Sequence, residues 1–576
     1  MEARRLIDIK SDTEADRSSL PVSLRVYLPA IALWMLPLAF LSILFFLPLS
    51  KIFFLTISFD TFTPENLRNA QDVLLFTFYQ ATLSTLLTLL IGLPSAVLFA
   101  RYDFRGKTVL RALTAIPFML PTVVVAASLN SILGQNGILS TLYSFLFHGS
   151  TQPSAIVLSP LFLILLAHTF YNTTIVIRIV GAALARLDPK LEQTARSLGA
   201  DSFHVWVNIT LPLLRPAIFA AVLLVFLFDF TSFGVILLLG GSRFSTLETE
   251  IYFQAVRQFN LPLAAFLSII QLLCTVNFSI LYSKFALRNT QPLTPRSPIL
   301  IKPRSYRQKI FVAGFGTLLI IFFLLPLASL PVRSLFRLEA DRGQRNGVQY
   351  GFTTGYYTEL FINRRGSIFY VPPVRAVVNS LMYAVATVIL SLTFGFPAAI
   401  ALAHPTQLEK ILDPLIMLPL GSSAVMLGLG FIVTFGKWLA SPWLVPFAHT
   451  LVALPFVIRT LQPAIASIPQ GLRQAASTLG ASPIEVWKQI DFPILWRATL
   501  AAAIFAFTIS LGEFGATLLI TRPDYPTIPV AIERFLSRPG GLNYGQAMAM
   551  ATILMTITVI SILLIEKFRL PNAGEF

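Results

Sequence analysis

The chain has 576 residues, 55% of them hydrophobic and only 12% charged, with a mean hydropathy of +0.74. That balance excludes an ordinary soluble domain, where charge runs nearer a quarter of residues, and makes the chain an integral membrane protein. Its 43 Lys and Arg against 27 Asp and Glu leave a net charge of +16. The excess is spread over short loops instead of gathered on one polar face, which excludes nucleic acid as a partner and suits loops facing the cytosol and anionic membrane lipid.

Residues 1–28 mix both charge signs, and the apolar run from Leu28 is too long for a cleavable leader, so they are expected to form a cytoplasmic tail. At about 20 apolar residues per crossing, the first half, 29–288, has spans at about 29–55, 73–100, 109–133, 155–181, 214–240 and 262–285. A Pro/Ser/Thr-rich stretch, 289–308, reads as a cytoplasmic linker. The second half, 309–568, has spans at about 310–330, 376–403, 411–436, 443–463, 498–521 and 546–566, and a short tail, 569–576, follows. The apolar runs are continuous, not alternating, so every span is read as helix. The expected fold is an all-α membrane protein of two tandem six-helix halves, about twelve transmembrane helices in all, with kinks at Pro37, Pro94, Pro397 and Pro419.

Basic residues fix the orientation. Arg101, Arg105, Lys107 and Arg111 follow the second span, Arg186, Lys190, Arg196 and Arg215 flank the fourth loop, and the linker region carries Lys284, Arg288, Arg296, Lys302, Arg304, Arg307 and Lys309 without an acid. These loops and both termini are therefore placed in the cytoplasm. Loop 331–375, with Arg333, Arg337, Arg342, Arg345, Arg364, Arg365 and Arg375, is placed outside, because long loops cross largely regardless of charge. The single cysteine, Cys274, precludes an intrachain disulfide.

One stretch occurs twice: LEQTARSLGADSFHVWVNITLP from Leu191 and LRQAASTLGASPIEVWKQIDFP from Leu472, in one register at a separation of 281 residues (474 − 193). The same separation carries Ala167-His168-Thr169 on to Ala448-His449-Thr450, Arg178 on to Arg459, and Phe233-Gly234 on to Phe514-Gly515, so the duplicated unit includes membrane segments. Each copy reads as two short helices meeting at Gly199 or Gly480, the second starting at the N-cap Asp201 or Ser482. The second helix is expected to show Val205-Trp206 or Val486-Trp487 to the cytosol, as knobs for a two-fold partner.

These loops, 186–215 and 464–497, resemble the EAA loop of binding-protein-dependent ABC importer permeases of the type I fold. By that resemblance Gly199 and Gly480 match the motif glycine, Ala195 and Ala476 its final alanine, and Pro212 and Pro493 its closing proline. Ala200, Ala481, Trp206 and Trp487 would lie on the coupling helices that sit on the ATPases, while Gln193 and Gln474 stand where the motif has Glu and so carry no charge. The segments FYQATLSTLLTLLIGLPSAVLFARYDFRGK and SLGEFGATLLITRPDYPTIPVAIERFL look most like the fused permeases of thiamine and ferric-iron importers. The resemblance implies one fused permease chain in the inner membrane, two copies of a cytoplasmic ATPase that hold the ATP and magnesium, and an extracytoplasmic binding protein. It also implies inward movement of a small cation, thiamine first and ferric iron next, by alternating access. An ion-coupled secondary transporter is the competing reading, since such proteins are also built from repeats.

No chemistry is expected in this chain, and no cofactor. The only GKT is Gly106-Lys107-Thr108, and Arg101 stands where a P-loop requires its first glycine. The five histidines are scattered, without metal-ligand spacing. Asp229 and Glu513 are the conspicuous acids inside apolar runs, about 20 Å from the cytoplasmic end at 1.5 Å per residue. Burial there is costly, so they are candidates for the translocation path or for an interhelical hydrogen bond or a partner such as Arg522, and Gln80, Asn130, Asn172 and Gln271 are weaker path candidates of the same kind.

Overall fold

The computed structural model describes residues 33–57, 62–134, 137–139, 159–241, 244–288, 300–337, 351–363, 371–403, 405–439 and 441–568. The expected tails 1–28 and 569–576 and linker residues 289–299 lie outside them. The described chain is almost wholly helical; among the described residues the only strands are Phe336–Arg337 and Gly351–Phe352, paired antiparallel.

In the first half the helices are α1 (Leu33–Thr56), α2 (Pro64–Arg101), α3 (Lys107–Met119), α4 (Thr122–Leu133), α5 (Pro160–Arg186), α6 (Pro189–Ser197), α7 (Ser202–Phe230), α8 (Gly234–Gly240), α9 (Leu247–Tyr252) and α10 (Leu261–Arg288). The second half continues with α11 (Tyr306–Leu335), α12 (Gly355–Glu359), α13 (Arg375–Ala403), α14 (Gln407–Gly421), α15 (Ala424–Phe435), α16 (Leu444–Ala466), α17 (Gln470–Thr478), α18 (Pro483–Gly512), α19 (Gly515–Ile520), α20 (Ile528–Leu536) and α21 (Gly541–Phe568).

Ten of the described helices are long and apolar enough to cross a membrane, or twelve counting two bent pairs. Those pairs are the expected spans 109–133 and 411–436, which are not straight: α3 meets α4 at 110°, and the α14–α15 pair turns by 95°. Pro121 lacks an N–H and pushes Leu120 out of the helical region, to ψ 143°. At the second bend Ser422 is extended and the Ser423 hydroxyl accepts from Met426 N at 3.0 Å, starting a new helix. Proline by itself does not break a helix here, for α2 and α13 run on through Pro94 and Pro397.

Spans expected as single crossings at 214–240 and 498–521 also break. Helix α7 ends at Phe230 and α18 at Gly512, and each resumes as a short helix, α8 or α19. Glu513 causes the second break directly: its carboxylate accepts from Ala516 N at 2.8 Å and Thr517 N at 3.0 Å, so it caps α19 and is not carried inside α18.

Each half is built on one close helix pair. A Cβ on Gly92 of α2 would lie 2.6 Å from Val176 of α5, and one on Gly395 of α13 would lie 2.8 Å from Val457 of α16. Such contacts require glycine and let the backbones approach, the usual device where lipid offers no hydrophobic drive.

The two halves follow one another in sequence but exchange their leading helices in space. Helix α1 packs with the second half: Phe40, Leu41 and Phe45 share a buried cluster with Phe431, Leu451 and Leu454, and Trp34 Nε1 donates to Glu409 Oε1 at 3.1 Å. Helix α11 packs reciprocally on the first half, with Leu319, Phe323 and Leu327 among Leu98, Leu129 and Phe170. Ser131 and Ser329 hydroxyls join at 2.7 Å there. Each leading helix therefore clasps the other half. Since α11 extends to Leu335, Arg333 belongs to the helix and not to the outside loop, and its guanidinium lies 5.1 Å from the Tyr544 ring.

Candidate functional site

The repeated loops form near-identical bent arms. In the first, the Asp188 carboxylate accepts from Lys190 N at 3.0 Å and opens α6. The helix ends when Gly199 takes φ +91° and Ala200 N donates back to Ala195 O at 3.0 Å. In the second arm Gly480 takes φ +88° and Ala481 N reaches Ala476 O at 3.0 Å. This is the left-handed C-terminal stop that glycine serves best, and it assigns a structural task to the motif alanine carbonyl. Nothing lies within 4 Å of a Cβ built on either glycine, so within this chain the bend, and not a close neighbour, demands glycine.

The next helix starts on a carboxylate or hydroxyl cap. Asp201 accepts from His204 N at 2.8 Å; Ser482 accepts from Glu485 N while Glu485 Oε2 accepts from Ser482 N at 2.7 Å. These backbone bonds to the charged form hold both the Asp201 and the Glu485 carboxyls below their usual range. A π-turn over Trp206–Thr210 or Trp487–Asp491 then leads into the long helix.

A brace crosses each arm at equivalent positions with opposite polarity. Glu192 pairs with Arg101 and accepts from Thr210 Oγ1 at 2.7 Å; in the second arm Arg473 Nε donates to Asp491 Oδ1 at 2.8 Å. Glu192 and Arg473 are duplicated positions, as are Thr210 and Asp491. The hydrogen bond joins the same two positions in each arm, with donor and acceptor exchanged.

Of the four side chains expected outward, Trp487 alone is exposed. Val205 and Val486 are buried, and Trp206 is half-buried under the Arg101 guanidinium at 5.4 Å; Trp487 stays exposed against Phe492. The outward apolar residues are instead Leu198 and Phe203 in the first arm and Leu479 and Ile484 in the second, with Leu198 83% and Leu479 88% exposed. A helical turn of four residues has an inner and an outer face, and Val205 falls on the inner one. Gln193 and Gln474 are exposed, while Ala195, Ala200, Ala476, Ala481 and Pro212 are partly covered and Pro493 is exposed.

Of the expected path residues, three come together. Asn172 Nδ2 donates to Asp229 Oδ1 at 2.7 Å and Gln80 Nε2 to Asp229 O at 2.9 Å, with His168 Nδ1 3.5 Å from the same carboxylate. His168 also bridges the Ser84 and Ser232 hydroxyls at 3.0 and 2.8 Å. Glu513 forms the corresponding cluster in the other half, with His449 Nε2 at 3.2 Å and His449 also touching Ser510 at 2.7 Å and Thr517 at 2.7 Å. Acid and serine have traded places between the copies: Asp229 and Ser232 correspond to Ser510 and Glu513. Both acids are buried and bonded within their own half. The seam itself runs through the duplicated pair Phe233 and Phe514, whose rings stack at 5.5 Å.

Two bent arms on paired helix bundles, each bundle repeating the other, define a duplicated membrane permease. The family of binding-protein-dependent transport system inner membrane components matches residues 88–290 and again 391–568, one copy in each half, and the chain belongs to that family as a double-length ABC importer permease, a multi-pass membrane protein. Among characterised relatives it is similar to the thiamine transport system permease protein of Escherichia coli, 27% identical over 506 residues, covering 86% of this chain and 88% of the relative. The thiamine transport system permease proteins of Haemophilus influenzae (27% over 509 residues, 87% and 89% covered) and Brucella abortus (26% over 515 residues, 87% and 88% covered) are similar to the same extent.

Proposed function

We propose that this chain carries thiamine, or a closely similar organic cation, into the cell through the seam between its halves, driven by two cytoplasmic ATPase subunits seated on the arms. The observation that carries this reading is the pair of matching bent arms, each presenting outward apolar side chains that its own half leaves uncovered. A single permease chain with two such arms suits two ATPase copies, which bring the ATP and magnesium, and an extracytoplasmic binding protein to deliver the solute. Both termini then lie in the cytoplasm with the arms. An ion-coupled carrier would have no use for the arms.

Thiamine is favoured by the named activity of the relatives that cover nearly the whole chain. Ferric iron is the second choice, since these relatives are named for thiamine. The test is uptake of radiolabelled thiamine into proteoliposomes holding permease, ATPase and binding protein. ATP-dependent accumulation is expected, and its absence with ferric-iron uptake present would replace thiamine with the metal.

In this reading Asp229 and Glu513 make the wall of the path electronegative from within each half. Asp229→Asn and Glu513→Gln are then expected to slow cation uptake several-fold at unchanged assembly. Unchanged uptake with a lowered unfolding temperature would confine both to holding helices together.

A further inference from the structure

Both buried acids described above are bonded within their own half, but a third bonds across the seam. Glu248, on α9 of the first half, is 1% exposed. One of its oxygens accepts from the Ser423 hydroxyl at 2.7 Å, and Ser423 belongs to the second half, at the α14–α15 bend. The other oxygen accepts from Gln271 Nε2 of α10. No lysine, arginine or histidine forms an ion pair with it among the described residues. A carboxylate buried this far without a cation is costly, and beside it the Gln271 Oε1 atom is buried with no donor. The site holds an acid without a counter-charge, its carboxyl pushed up to about 8 by burial, and a spare acceptor, on the surface along which the halves meet.

Aromatic faces complete it. Tyr252 follows Glu248 by one helical turn and so shares its face of α9. The Tyr252 ring lies 5.6 Å from Phe233, which stacks on Phe514 of the second half. A carboxylate, an amide oxygen and aromatic rings on one seam are the elements that recognise a flat organic cation. The duplication does not repeat the acid and the amide, because Pro529 and Thr552 occupy the positions equivalent to Glu248 and Gln271.

We propose that Glu248, with Gln271 and the Phe233, Tyr252 and Phe514 rings, recognises the positive charge of the transported cation, Ser423 holding the carboxylate while the halves are together and releasing it as they part. The assignment rests on the organic-cation reading above and adds the residue that makes it selective. One site on one half also means one cation per cycle.

The test uses the complete complex in proteoliposomes, with thiamine and its neutral thiophene analogue each loaded on the binding protein. Glu248→Gln is expected to reduce the ratio of thiamine to analogue uptake about tenfold, the loss of one partly shielded charge pair. Glu248→Asp keeps the ratio within about threefold. Ser423→Ala, which removes the bond between halves but leaves the charge, keeps it as well. Should Glu248→Gln fail to assemble, Gln271→Leu serves instead, with the ratio lowered several-fold. A wild-type complex that carries thiamine while Glu248→Gln or Gln271→Leu leaves the ratio unmoved, or while Ser423→Ala lowers it equally, overturns this assignment alone and makes Glu248 a tie between halves. A fully assembled wild type that does not carry thiamine overturns the thiamine reading, and this assignment with it.

Discussion

Replacing Leu198 and Leu479 together by aspartate is expected to detach the ATPase subunits from the permease and lower ATP-driven uptake by at least a hundredfold. Both side chains stand almost free of their own chain, on the turn just before Gly199 or Gly480. Burying one leucine against a partner stabilises by about 1.5–3 kcal/mol, so two contribute about 3–6 kcal/mol, and about 1.4 kcal/mol is a factor of ten. A carboxylate in the same place forfeits that and must also be stripped of water. Copurification of the ATPase with the permease reads the binding, and uptake reads the consequence. Leu198→Met with Leu479→Met keeps apolar volume and should copurify as wild type. Retention of the ATPase by the double aspartate variant would remove these residues from the interface and return the weight to Trp206 and Trp487.

The second large effect is expected at the seam. Phe233→Ala with Phe514→Ala removes two stacked rings that lie at duplicated positions, one from each half. Truncating a buried Phe costs about 3–5 kcal/mol, most of it here taken from the arrangement in which the halves are closed. A loss of that size moves a two-state equilibrium about a hundredfold or more. The variant complex should leak small solutes across proteoliposomes without ATP, while Phe233→Leu with Phe514→Leu, which retains much of the volume, should stay tight. A sealed double-alanine variant would mean that closure is held elsewhere, by the clasp of α1 and α11.

The arms were legible because their conformation is local. Glycine at a left-handed stop, a capping residue two positions on and a proline at the exit act within a few residues, and two copies in register make the pattern hard to mistake. Which residues of the arm face outward was less legible. Val205 precedes Trp206 in a hydrophobic pair, but one turn of helix sends the first inward and leaves the second under Arg101, a residue more than 100 positions earlier. Leu198 and Leu479 were visible as shared positions, and only their exposure distinguishes them from core.

The buried acids show the same division. Hydropathy marks Asp229 and Glu513 as costly, and their depth follows from counting residues along a helix. It does not say that Asp229 finds Asn172 and Gln80, or that Glu513 leaves α18 altogether to cap α19. Glu248 drew no notice because it lies in a mixed polar stretch, SRFSTLETE, where an acid is ordinary. Its partners Gln271 and Ser423 lie 23 and 175 positions away.

Membrane character, the all-helical fold, the duplication and the two bent arms were thus determined by the amino-acid sequence alone, because each depends on composition or on residues close together in the chain. The tertiary structure decided the rest: the breaks at 120–121 and 422–423, the exchange of α1 and α11 between halves, and the carboxylate on the seam. Apolar helices in lipid have no hydrophobic reason to prefer one neighbour over another. Their partners are chosen by small residues, ring stacking and a few hydrogen bonds between distant positions, and those become visible only once the chain is folded.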